Sequence, residues 1–599
     1  MIKASKKHAI FLVTWLVICL NVGAWEIVES TEYLNKNTEY SSLEIKSGAS
    51  LTVSSGVQLT LKSSSKLHGE LILEQGAQLE LDFASAGTLD IYSSGVLRVN
   101  GSIDSRCRVF VKEGSASAYI SDGKSNGGGS IVAAYCDFVS LGAQPNYKAI
   151  ETWVSADSEG LIFTDCTFDK CAQIKHRYGL PKGAKQEFLR CKWTNSVEKP
   201  KSERKQYELW HILEVPSAFG SEGSIINCDF DKKIGFFNAA DFVLEGNVFR
   251  EGIQTYSHWC PKWKSFKGNF IQSMVDGIEM SISYGNKIED CVFVKNSNSW
   301  NPHFIGVGLG SGKGSVSGSV FWFIAPKSSS KTLEGDGLMV GAAKEGTREE
   351  NVFTIKNNIV LPNTNGLDHK NNLSCTLLTV LSKSSNSSIE VLNNTIFNGN
   401  TGGINLGETN PCEVGRIKQI RNNIFVGRNG DGYKIKNLGH TEVDVITYEN
   451  TSHNASWDIA QGDLSSAKGY VNLKFSGTPT LGEYDIDDVN PDFANMTRTP
   501  YTWALSQGDQ ANINSVMDQL SCTNKITDLL AHIREGWRPQ NLNFKASGNY
   551  NGELKDLGAV NLSGVRSVKS EAVEVSKNKS VEKINQGHKK PKKRAVISI

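Results

Sequence analysis

Strong charge of one sign is the first thing this sequence lacks. Its 64 Lys and Arg residues are matched by 63 Asp and Glu, leaving a formal net charge of +1. There is no global field of the kind that gathers nucleic acid, and no nucleic-acid partner is expected. Long apolar runs are scarce as well. Ala9–Leu20 is almost wholly apolar, but about a dozen residues fall short of the roughly 20 that a helical span needs. No later stretch is long enough to cross a bilayer. The cysteine spacings match no zinc-ligand pattern, so no metal ligands are assigned.

The one apolar run has a different reading. Lys3, Lys6 and Lys7 precede it, and Val22-Gly23-Ala24 follows it. A basic region, a short apolar core and small residues describe a secretory signal cut after Ala24. Residues 1–24 are thus the signal peptide, and the mature chain is expected outside the cell, at the cell surface or in the periplasm, as a monomer with no membrane span. Eleven of the 12 cysteines remain after cleavage, an odd number.

What is present is a repeat. Ile288-Glu-Asp-Cys291-Val-Phe293 has an apolar residue, two others, Cys or Asn, one other, then an apolar residue. The pattern recurs with its central position at Cys136, Cys166, Cys191, Cys228, Asn247, Asn269, Cys291, Ser319, Asn358, Asn394 and Asn423, at spacings of 19 to 39 residues. A period of this size means a solenoid. The period is uneven, and each unit is made of short apolar pieces broken by Asn, Gly and Ser with no helical stripe. A coil of short parallel strands tolerates this, because turns of variable length bulge outward. Stacked coils bring the Cys/Asn positions into an internal ladder at a bend, where Asn bonds neighbouring backbone and tolerates left-handed conformations. Five ladder positions are Cys. Stacked spacing falls within disulfide range, but a ladder of buried free thiols is the preferred reading.

Residues 25–130 carry denser alternation, with Leu51-Thr-Val53, Leu59-Thr-Leu61, Leu71-Ile-Leu73, Leu79-Glu-Leu81, Leu89-Asp-Ile91 and Leu97-Arg-Val99 each following a Gly or Ser turn. These read as small solenoid rungs that cap the N-terminal end. Residues 131–450 hold about eleven coils. Residues 451–561 end the solenoid, and Val516, Leu520, Ile526, Leu529, Leu530 and Ile533 give Ser515–Trp537 helical spacing. That segment is expected to cover the first strands of the coils from Phe304 to Leu381. Residues 562–599 are polar and basic, a disordered tail. Sequons stand at Asn372, Asn386, Asn450, Asn454 and Asn495. The fold class is all-β, a right-handed parallel β-helix with an N-terminal β-solenoid cap and a partly helical C-terminal segment.

Strand faces alternate. In the first strand of each coil, Ile150, Ile174, Ile253 and Ile278 take the inward position. Glu151 and Trp153, Lys175 and Arg177, Gln254, Tyr256 and His258, and Glu279 and Ser281 then point out, with His211 in the same stripe. Acids, bases and aromatics stacked together have the makeup of a glycan groove, so a polysaccharide is the expected partner. Glu151, Trp153, His211, Gln254 and Tyr256 are the binding candidates. A lyase needs a base and a cation, which Lys175, Arg177, Tyr256 and His258 supply. A hydrolase needs two carboxylates, for which Glu279 and Asp276 are candidates, with Glu245 or Asp241 nearby. Glu334 and Asp336 are placed in a turn at the rim. The alternative is a non-catalytic surface, adhesion or glycan-binding protein.

From Ile131 to Asn450 the repeats resemble the right-handed parallel β-helix proteins, the pectate-lyase-like group. Gly95-Val-Leu-Arg-Val-Asn-Gly101 and Asp556-Leu-Gly-Ala-Val560 are similar to opening and closing phrases of secreted bacterial members. Gly277-Ile-Glu279-Met-Ser-Ile-Ser283-Tyr-Gly-Asn286 resembles the coil of alginate-lyase and chondroitinase-B-type enzymes that carries Glu and then a catalytic Lys. This implies an acidic, calcium-binding role for Glu279, and Ca2+ is the one cofactor the resemblance suggests. The chain departs from that pattern twice. Ser281 and Ser283 stand where the Lys falls, and Gly306-Val-Gly-Leu-Gly310 where the next coil carries Arg.

Overall fold

Short β strands with an apolar residue at every second position cannot bury that face alone. Each strand here pairs in parallel with the matching strand of the next coil. The computed structural model describes residues 25–122, 128–142, 147–152, 158–176, 183–204, 210–215, 222–236, 240–255, 262–273, 280–281, 286–295, 303–307, 314–323, 333–340, 351–362, 373–380, 387–399, 402–406, 416–427, 432–437, 454–457, 470–471 and 510–536.

Three stacks result. Among the described residues the first sheet has ten strands, from Trp25–Val28 to Ile253–Thr255, and a further parallel series continues the first-strand pattern from Met280–Ser281 to Tyr470–Val471. Among the described residues the second sheet has fifteen strands, from Thr31–Leu34 to Arg416–Arg421. The third stack runs from Thr38–Tyr40 to Ala455–Trp457. Within each series, up to Tyr433–Asn437, every third strand along the chain pairs in parallel, and the last two pairings, Ile424–Gly427 with Ala455–Trp457 and Tyr433–Asn437 with Tyr470–Val471, skip one strand; this is a parallel β-helix. The eleven repeats correspond to the last eleven strands of the second sheet. The four earlier ones come from the N-terminal rungs, whose strands are ordinary members of the same sheets.

The interior follows from register. Along the third stack Phe138, Phe168, Trp193, Phe230 and Phe249 lie one above another. Their rings stack at 5.0, 4.7, 4.3 and 5.4 Å with interplanar angles of 20° or less. Such offset ring pairs add to the burial that drives the collapse.

The Cys/Asn ladder is internal, as its sequence implies, and longer at both ends. Cys107 pairs in register with Cys136, and Asn454 extends it beyond Asn423. In the Asn part, each Oδ1 accepts the backbone N–H of the ladder residue one coil earlier. The distance is 2.9 Å from Asn358 to Asn394, 2.9 Å from Asn394 to Asn423 and 3.1 Å from Asn423 to Asn454. Each Nδ2 donates to a carbonyl of that coil, as Asn394 does to Ile355 at 3.0 Å. Asn454 is thereby fully buried. A side chain committed in this way does not receive a glycan in the folded protein, so the Asn454 sequon is not an acceptor.

The left-handed residue is not the ladder residue but the one before it. Tyr135, Asp165, Arg190, Asn227, Asp290, Asn357, Asn393 and Asn422 have φ between 48° and 57°, and Gly246, Gly268 and Gly318 occupy the same place. One position makes the bend and the next satisfies its backbone. All eight described cysteines are free thiols. Burial pushes the Cys171 and Cys291 thiols up to about 12 and Cys107 to about 11, so thiolate chemistry is suppressed at these positions.

Two helices follow, α1 (Gln510–Leu520) and α2 (Ile526–Gly536). Their buried Ile513, Val516, Met517, Leu520, Ile526, Leu529, Leu530 and Ile533 pack on Val248, Phe270, Val292, Val294, Val320, Trp322, Ile359 and Leu361. The expected target was the first strands from Phe304 to Leu381. The observed one is the outer face of the strands after the bend. The reason lies in one register row. It reads Arg108, Asp137, Thr167, Lys192 and Asp229, then Val248, Phe270, Val292, Val320 and Ile359. Where the row turns apolar it needs a cover, and the helices supply it. At the changeover Asp229 is fully buried between Arg250 (2.7 and 2.6 Å) and Ser521 (2.6 Å). Glu334 and Asp336, assigned above to a turn, lie within the strand Leu333–Val340.

Candidate functional site

The first sheet fixes one outward row by register. Between inward Ile150, Ile174, Leu213, Ile234 and Ile253 and the turns, the row places Glu151, Lys175, Glu214, Gly235 and Gln254 on five consecutive coils. Glu151, Lys175 and Gln254 are the residues that strand alternation assigns to it. Glu214 and Gly235 are additions. They were recoverable from Leu213-Glu-Val215, an alternating triplet whose inward ends match Ile174 and Ile234.

His211 joins the row by another route. It is not in a strand. The strand of its coil begins at Leu213, and backbone bonds from Ile174 N–H to Ile212 O and from Ile212 N–H to Lys233 O (both 2.8 Å) hold the segment before it. The imidazole lies against Gly235, where a Cβ would stand 2.6 Å from Nδ1. Its Nε2 is 3.1 Å from Gln254 Oε1. An amide oxygen only accepts, so the proton of the neutral ring is on Nε2. Burial pulls its pKa down to about 4. The Gln254 hydrogen bond opposes this, while the charges of Lys233, Lys175 and Arg204 add to it. The ring is neutral at any pH near 7.

The row points out of the sheet, yet much of it is buried. Glu151 is 7% exposed and His211 fully buried, whereas the Lys175 side chain is 37% exposed. The acids are paired. Lys148 Nζ is 2.6 Å from Glu151. Glu214 lies 3.3 Å from Lys175 Nζ and accepts from Gln173 Nε2 at 3.0 Å. Glu151 and Glu214 are two strand spacings apart, roughly 10 Å along the stack, with Lys175 between them. That is a sunken floor of alternating acid, cation and acid, ending in a neutral imidazole.

Trp153, Arg177, Tyr256, His258, Asp276 and Glu279 lie outside the described residues. Of the carboxylates considered beside them, Glu245 sits on the second sheet and accepts from Ser265 Oγ at 2.5 Å. Among the described residues no group of three His, Cys, Asp or Glu is placed to hold a metal ion. No described helix is long and apolar enough to cross a membrane.

No family model matches the chain, and no curated protein matches it. A solved structure described as a mannuronic acid specific polysaccharide family 6 lyase enzyme from human gut microbiota is similar at 11% identity. The match covers 85% of this chain and 94% of that one, with a TM-score of 0.22. The chemistry has to be read from this chain's own side chains.

Proposed function

We propose that the protein is a secreted polysaccharide-active enzyme, a lyase or glycoside hydrolase, that binds its polymer along the outward row of the first sheet. One observation supports this above the rest. Glu151, Lys175 and Glu214 are set on three consecutive coils of a stack, with a neutral His211 on the coil of Glu214, and Glu151 and His211 are buried. Recessed charges act in a low dielectric and hold their positions without reorganisation. Lys175, the most open of them, is suited to meet a carboxylate or a developing oxyanion. In a hydrolase, Glu151 and Glu214 are the carboxylate pair. In a lyase, Lys175 is the cation, with Arg177 as the other cation the sequence offers, and the base is Tyr256 or His258, which strand alternation in the sequence assigns to the same stripe. Ca2+ at Glu279 belongs to that second scheme.

A second reading has its own support. Both described acids of the row are already paired with lysines, as in a non-catalytic glycan-binding platform. Incubation with uronic-acid and neutral polymers separates the three. Unsaturated product marks a lyase, new reducing ends without unsaturation mark a hydrolase, and polymer binding without either marks a platform. Loss of activity in Lys175→Ala and Glu214→Gln, with unchanged thermal unfolding, ties activity to this row. Full activity in both variants would remove the row from the mechanism.

A further inference from the structure

The outward row does not begin at Glu151. Register carries it back through Ser121, Asp90, Lys66 and Glu44 to the first coil. On these early coils the face is more open and carries rings. Trp25 is 40% exposed, with Lys66 Nζ 5.0 Å from its ring centre. Two coils on, His68 and Tyr92 stack at 4.1 Å with 20° between their planes, one from each of two adjacent coils. Glu44 steadies the group, 2.6 Å from Lys46 and 3.9 Å from His68.

Single exposed apolar residues are ordinary on a protein surface. These rings differ in being held. A cation sits against one, and the other two brace each other, so little side-chain freedom is lost when a ligand arrives. The charges around them balance, with Glu44 and Asp90 against Lys46 and Lys66. A face of this kind favours a molecule that presents apolar C–H surface to the rings and hydroxyls to the charges, with no demand for net charge. A pyranose polymer has that chemistry. The face is also continuous with the candidate site, five strand steps or roughly 24 Å from the Glu151 coil.

We propose that Trp25 and the His68–Tyr92 pair form a second carbohydrate-binding strip, which holds the polymer upstream of the outward row from Glu151 to Gln254. The strip rests on the reading of that row as a polysaccharide site. Its binding is carried by ring stacking and is little affected by salt, unlike binding steered by a charged patch.

Affinity electrophoresis of the full chain tests it, through gels containing polygalacturonate, alginate, mannan or a mixed-linkage glucan, at low and high salt. At least one polymer retards the wild type at both salts. Trp25→Ala/Tyr92→Ala weakens that retardation roughly tenfold, as expected for losing two stacking surfaces. Tyr33→Ala, which removes an exposed ring from the second sheet of the same coil, leaves it unchanged. Equal retardation of the wild type and the double variant overturns the strip, and so does a wild type that no polymer retards. Product formation on the same polymers is scored separately. Retardation that depends on Trp25 and Tyr92 without any product keeps the strip and removes the enzyme. Product with retardation indifferent to Trp25 and Tyr92 does the reverse.

Discussion

His211 and Gln254 come from coils two apart, and their 3.1 Å hydrogen bond passes over Gly235. The bridge exists because Gly235 has no side chain to block it, and Gly235 is not in a left-handed conformation. Gly235→Ala therefore tests sterics alone. The new Cβ meets the ring at 2.6 to 2.8 Å and has to displace it, at a cost of about 1–3 kcal/mol. Part of that cost should return in Gly235→Ala/His211→Ala, where the ring is gone. Denaturant unfolding of the two single variants and the double variant reads this coupling. Strict additivity would mean that the ring and Gly235 do not meet in solution.

The same imidazole gives stability a pH dependence of known sign. Its folded pKa is about 4 and its ordinary value 6.5. Above pH 6.5 neither state binds the proton and His211 contributes nothing. Between 6.5 and 4 the unfolded chain binds the proton and the folded chain does not, so stability falls as pH falls, by up to about 3 kcal/mol. His211→Gln lacks this contribution. The stability difference between wild type and variant should move in the variant's favour by about 2–3 kcal/mol between pH 7.5 and 4.5. Parallel pH profiles would show that the ring is accessible to protons when folded.

How much of this was legible in the sequence depends on how local the signal is. The ladder was legible because each coil repeats one apolar–Cys/Asn–apolar phrase, and the helices because Val516 to Ile533 keep a helical period. Lys175 and Glu151 were legible by simple alternation beside Ile174 and Ile150. Glu214 was not, because the apolar residues of Leu209-Trp-His-Ile-Leu213 suggest a strand that ends at Leu213, whereas the strand that forms is Leu213–Val215. His211 lies beside the row without belonging to its strand. Its position depends on a missing side chain at Gly235, which no periodicity reports. The helices' target was misjudged because the first strands and the strands after the bend are equally apolar around Phe304–Leu381. Only register, which aligns Asp229 with Val248, shows where the outer face changes character.

The ladder predicts which substitutions an interior position tolerates. Asn394 accepts from Asn358 N–H (2.9 Å) and Nδ2 (3.1 Å) and donates to Ile355 O (3.0 Å). Asn394→Ala strands these groups in the core and should cost about 3 kcal/mol. Asn394→Cys should cost less, because the ladder already accommodates Cys. At Cys191, for example, the sulfur donates to Phe163 O at 3.4 Å and the backbone N–H reaches the next sulfur at 3.3 Å. Thermal unfolding of the two variants ranks them. An Asn394→Cys protein no more stable than Asn394→Ala would show that Cys and Asn are not interchangeable along the ladder.

Among the polar ties where the helices meet the coils, the two that Arg250 makes are of unequal worth. Arg250 holds the fully buried Asp229 and also reaches Asp518 on α1 at 2.8 Å, where the Asp518 side chain is 63% exposed. An exposed ion pair contributes little, about 0–1 kcal/mol, so Asp518→Ala should unfold within a degree or two of wild type. Arg250→Ala is different. It leaves the Asp229 carboxylate in the interior without its bidentate cation, with Ser521 and a distant Lys192 (3.9 Å) as its remaining partners. Losing one member of a buried pair costs about 3–5 kcal/mol. Asp229 also takes its hydroxyl bond from Ser521, just after α1, so the loss should loosen the helices from the outer face before the coils unfold. Hydrogen exchange of Gln510–Gly536 follows that step directly. Faster exchange there in Arg250→Ala, with the coil strands still protected, is the expected result. Uniform loss of protection would mean that helices and coils unfold as one unit.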